Sequence, residues 1–162
     1  MRKKPHMERP YGSKAGKPRY DVIKAALDRY GEAFQAGYYV ECIALIEGLL
    51  ADRLESLANE ITQTPDYSYK PLGKLVHGIE KCHASKLSDE LQELLPELAE
   101  WASHRNMAVH VLPKLLPDAN ETFEKRYKSL RKTASDGKKL FVKLSSAMRR
   151  FRAEIKKGIR TI

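Results

Sequence analysis

Apolar residues recur along most of this chain at the three- and four-residue spacing of a helix. Nowhere do they alternate with polar ones as a half-buried strand requires. From Asp21, a candidate N-cap, the residues Val22, Ala25, Ala26, Tyr30 and Phe34 keep the helical spacing, and Gly37 ends the run. A second helix is predicted over about 38–61. The segment TPDYSYKP, with Pro65 and Pro71, reads as a loop, and a short third helix follows over about 72–82. A fourth is expected over about 88–111, with Ser88 as its cap and Asp89 and Glu90 as first-turn acids. Pro96 should kink or divide it, and Pro113 and Pro117 stop it. The last segment, capped by Asp118 or Asn120, is helical to about 158, with the ASDG stretch at 134–137 a candidate interruption. Residues 1–19 hold prolines, glycines and bases without apolar periodicity and read as a basic flexible arm. The expectation is an all-α protein, a single domain of four or five bundled helices over 20–162, with no internal repeat.

Helical-wheel arithmetic at about 100° per residue separates two of these helices from the rest. With Ile43 as origin, Ile46, Leu50, Leu54, Leu57 and Ile61 lie within about 60° of it, and alanines, Cys42 and Leu49 widen the arc. So broad an arc marks a central helix. Glu47 falls about 40° from Ile43, inside the arc, where a carboxylate needs a partner. In the fourth helix Leu91, Leu94, Leu95, Leu98, Trp101, Ala102 and Val109 form the stripe, and Arg105 projects into its middle. An arginine does not neutralise itself by losing a proton, so it must find an anion or leave the core. Glu47 is the internal candidate, and an RNA phosphate the external one. Asn106 and His110, four apart, share a face just beyond. Glu47 and Arg105 thus read either as a structural ion pair or as the orienting part of a site.

Composition adds direction. The 162 residues are 42% apolar and 31% charged, a globular balance, and no apolar run reaches the ~20 residues of a membrane span. With no secretory-type apolar leader, the expected setting is cytoplasmic and no membrane partner is expected. Cys42 and Cys82 lack metal or disulfide spacing and read as buried small residues, as Trp101, Tyr38 and Tyr39 read as core. No H-E-x-x-H, Cys/His cluster or phosphate-cradling glycine loop is present, so neither a metal nor a cofactor is expected. The formal charge is +9. Residues 1–20 hold seven Lys or Arg against one acid, and 121–162 fourteen against four, around a middle of nine against sixteen. Basic ends of this kind suit a polyanion, because Lys and Arg displace counterions from phosphates.

The stretch Arg105-Asn106-Met107-Ala108-Val109-His110 resembles the R-N-x-x-x-H signature of the HEPN superfamily, the higher eukaryotes and prokaryotes nucleotide-binding domains. Residues 38–57, YYVECIALIEGLLADRLESL, resemble the upstream core helix of its prokaryotic members. The resemblance covers about 21–155 and implies a HEPN-like bundle, many of whose members are metal-independent endoribonucleases acting as toxins, defence effectors or RNA-processing enzymes. It implies a homodimer in which two motifs face one cleft, with RNA as substrate and a cognate antitoxin or inhibitor as a further partner. In that setting Arg105 holds the scissile phosphate, Asn106 positions the phosphate or the histidine, His110 serves as general acid–base and Glu47 orients Arg105. Lys138, Lys139, Arg149, Arg150 and Arg152 of the C-terminal run would flank the cleft as RNA-binding residues. Some toxin members carry a tyrosine two residues after the histidine. Here that position is Leu112, which argues against control by tyrosine modification. The rival readings are a non-catalytic helical module binding a protein or nucleic acid, and a structural dimerisation domain.

Overall fold

The computed structural model describes residues 13–64, 66–112 and 122–159, with only the backbone described at 13–17 and 111. Among the described residues there are five α-helices and no strand: α1 (Ser13–Ala36), α2 (Tyr39–Thr62), α3 (Leu72–His83), α4 (Asp89–Val111) and α5 (Phe123–Lys156), with a 3₁₀ turn at Ala84–Lys86. No described helix is long and apolar enough to cross a membrane. The expected all-α class of four or five bundled helices is observed, with five described helices around one core.

As its wide apolar arc requires, α2 is the central element, packing on α1, α3 and α5. Cys42, Ile46, Leu50, Leu54 and Ala58 are wholly buried along it. α4 closes the bundle against α3 and α5. α1 ends in a Schellman motif: Gly37 takes φ +81°, its N–H donates to Phe34 O (3.2 Å), and Tyr38 N–H donates to Ala33 O (2.8 Å). The chain therefore reverses at Gly37 and sends α2 back along α1.

Several boundaries differ from the sequence expectation, each for a local reason. α1 begins eight residues before Asp21 and runs through Pro18, which forfeits one main-chain hydrogen bond. Arg19, just after it, is held to Asp52 of α2 at 2.6 Å. Val22 and Tyr20 are exposed, so this first half of α1 lacks the apolar seam of its second half, where Tyr30 and Ala33 are buried. α4 is not divided at Pro96: the helix runs through it, with Pro96 and Gln92, whose carbonyl loses its main-chain donor there, both exposed residues. Ser88 occupies the N-cap of α4, yet its side chain makes no capping bond. Asp118 and Asn120 lie outside the described residues. The observed cap of α5 is Thr122, whose side chain accepts from Lys125 N–H at 3.3 Å.

The ASDG stretch does not interrupt α5. It is the contact surface for Trp101: a Cβ at Gly137 would stand 2.6 Å from Trp101 Cζ2 and 2.9 Å from Ile46 Cγ2. The indole N–H donates to Thr133 O (2.8 Å) and the Tyr30 hydroxyl to Ala134 O (3.1 Å). Glycine here lets an aromatic ring lie against the helix backbone. Trp101 is core, as expected, and Tyr39 is half-buried, but Tyr38 is exposed. The thiols also part company: Cys42 is buried and donates weakly to Tyr30 O (3.7 Å), whereas Cys82 is exposed because it lies on the outer face of α3. Glu55, buried on α2, accepts from Tyr69 N–H at 3.0 Å and fastens the loop before α3.

Candidate phosphate-handling site

The two anomalous residues of the helical wheels meet. Arg105 of α4 and Glu47 of α2 form an ion pair through Nη2 and Oε1, with side chains only 17% and 24% exposed. Arg105 Nη1 donates to Asn106 Oδ1 at 2.5 Å, and Arg105 Nε is buried with no partner among the described residues. Burial pulls the Arg105 pKa below its usual value. An arginine in this position stays charged.

The pair borders a cleft of about 290 Å³ between α2, α4 and the start of α3, lined also by Asn106, Pro71, Leu72, Gly73 and Lys74. No side chain caps α3 at Pro71. The positive end of a helix dipole, the Lys74 ammonium and the Arg105 fork thus border one open space, a combination suited to an oxyanion.

His110 is placed differently. It is exposed in the last turn of α4 and does not line this cleft. Five residues separate it from Arg105, about 140° around the helix and ~7.5 Å along its axis. The structure therefore brings together Glu47, Arg105 and Asn106 and leaves His110 outside that group.

The basic residues of α5 divide into two faces. Lys138 sits 4.9 Å from the ring centroid of Tyr30, and Arg149 and Arg152 follow on the same side. Lys139 pairs with Asp136 (3.3 Å), while Arg150 Nε donates to Glu90 Oε2 across to α4 (2.9 Å). Arg152 is held by Glu60 Oε2 (2.8 Å) and Ser56 Oγ (3.1 Å) of α2. Arg149 is exposed.

Sequence reasoning passed over Lys74 and Arg53. Lys74 follows Pro71 in the first turn of a helix whose start faces the motif, and only the helix packing reveals that. Arg53 lies at the flank of the α2 arc, where wheel arithmetic alone does not separate a core-edge cation from a solvated one. Among the described residues, no three His, Cys, Asp or Glu side chains gather as a metal site requires. Comparison with protein-family models, curated proteins and solved structures finds no match to this chain.

Proposed function

We propose that this chain is a metal-independent endoribonuclease of HEPN type, acting as a homodimer on RNA as a toxin or defence effector answering to an inhibitor protein. The observation that carries the reading is the inward-turned Arg105, paired with Glu47 and bonded to Asn106 beside an open cleft. In the proposed reaction the RNA 2′-hydroxyl attacks the adjacent phosphorus and loses its proton to a base. The 5′-oxygen leaves and takes up a proton, giving a 2′,3′-cyclic phosphate and a 5′-hydroxyl. Arg105 offsets the charge gathering on the phosphorane, Asn106 positions the phosphate, and Glu47 fixes the guanidinium. His110 moves the proton as general acid–base. Because His110 stands off the cleft of its own chain, a second copy must supply the imidazole or complete the groove.

The test is cleavage of single-stranded RNA in EDTA, with the ends of the products identified. The wild type should leave 5′-hydroxyl ends, and His110→Ala should lose ~10²-fold or more in rate while keeping its fold. Undiminished cutting by that variant sinks the assignment. The exposed position of His110 favours one rival, a non-catalytic helical module. It predicts salt-sensitive RNA or protein binding without turnover.

A further inference from the structure

A second cationic cleft lies on a different face of α2. Arg53 follows Glu47 by six residues and is rotated about 120° from it, toward the C-terminal half of α5. There a cleft of about 440 Å³ is lined by Arg53, Ser145, Arg149, Arg152 and Lys156. We propose that this cleft is a phosphate-binding site, separate from the Arg105 cleft and independent of any cleavage there.

Three features support it. Arg53 is half-buried, with its guanidinium 5.7 Å from the Phe141 ring centroid and its Nε buried without a partner among the described residues. Ser145 Oγ is likewise buried and unpartnered. Second, the nearby carboxylates are already engaged: Asp52 with Arg19 at 2.6 Å, and Glu60 with Arg152 at 2.8 Å. Burial, and then the like charges of Arg19, Arg152 and Arg149, work against the protonated form of Arg53, with Asp52 opposing them. An incoming anion relieves that repulsion. Third, Lys138, Ser145, Arg149, Arg152 and Lys156 occupy one sector of α5 about 60° wide, so a polar, mostly basic stripe spans ~27 Å from Lys156 in the cleft to Lys138 beyond it.

Guanidinium forks and a hydroxyl match the several oxygens of a phosphate better than the two of a carboxylate. The phosphate comes either from a polynucleotide backbone lying along the stripe or from a small phosphate compound in the cleft.

Calorimetric titration of the full chain at low salt separates the sources, using inorganic pyrophosphate and a short single-stranded RNA whose 2′-O-methyl groups block attack. At least one probe should bind, and Arg53→Met and the exposed-site Arg149→Met should each weaken it about tenfold. Lys132→Met removes the same charge elsewhere on α5 and should change affinity less than about twofold. Arg53-dependent binding of RNA but not pyrophosphate assigns the backbone, and the reverse assigns a small phosphate ligand. Failure of both probes to bind overturns the proposal. Equal losses from Lys132→Met and Arg149→Met overturn it too, since they would show general charge attraction alone. Because methylated RNA is not cut, none of these results depends on whether the chain is a nuclease.

Discussion

Glu47 and Arg105 lie on different helices, 58 positions apart in sequence, and meet as an ion pair where α2 and α4 approach each other. Neither is well solvated, so each is tolerable mainly because of the other. Coulomb attraction between them is offset in part by the desolvation of both, and the net worth of such a pair is small compared with the cost of breaking it from one side.

That asymmetry is measurable. Glu47→Leu and Arg105→Met should each destabilise the fold by about 1–3 kcal/mol, because each leaves one half-buried charge without its counter-ion. The double variant should lose less than the sum of the two. A double-mutant cycle by urea unfolding checks this, and strictly additive losses would mean that the pair does not couple.

At Gly137, helix propensity and packing disagree. Alanine is the better helix former by about 1 kcal/mol, yet its Cβ would enter the Trp101 ring and meet Ile46. Overpacking of a core costs about 1–3 kcal/mol, so Gly137→Ala should lower stability, and Trp101 fluorescence should shift as the indole is displaced. A gain in the unfolding midpoint would show that the ring moves aside freely.

The same region marks how far the sequence could be read. The Glu47–Arg105 pairing was legible because each helix carries enough apolar residues to fix its inward direction, and a charge inside an apolar arc demands a partner. The start of α1 was not, since residues 13–20 have no apolar seam and the Arg19–Asp52 contact that holds them depends on tertiary placement. Gly137 looked like a helix breaker because glycine signals flexibility locally, and only the position of Trp101 shows that a missing side chain is what the contact needs. Exposed Cys82 follows from the same limit: in a helix of twelve residues, one face covers little of the arc.

Tyr30 carries an alkaline liability. Burial raises its hydroxyl pKa from the ordinary 10 to about 12, while the hydroxyl donates to Ala134 O. The neutral form is the one the fold holds, so this contribution is whole below pH ~10. It is lost as pH rises toward 12, because the unfolded chain ionises first. A two-unit shift corresponds to about 2–3 kcal/mol. Tyr30→Phe should be less stable than wild type at pH 8 through the lost hydrogen bond, and should fall less between pH 9 and 12. Parallel stability curves for the two proteins would contradict the assignment.

The proposed composite site makes a demand on the dimer that neither residue makes alone. Arg105 and His110 diverge around α4, so if one chain's arginine works with its partner's histidine, two inactive chains can repair each other. Arg105→Lys and His110→Ala should each be inactive as homodimers. Mixed and re-equilibrated, half the dimers would be mixed, each with one of its two cross-chain sets intact, and cutting should return to about a quarter of wild type. If both groups act within one chain, a mixed dimer holds no intact set and the mixture stays inactive. The fragment ends must again be 5′-hydroxyl, so that a contaminating nuclease is not mistaken for repair. Recovery at the expected level would show that the ~140° between the two side chains is bridged by dimer symmetry and not by bending of α4.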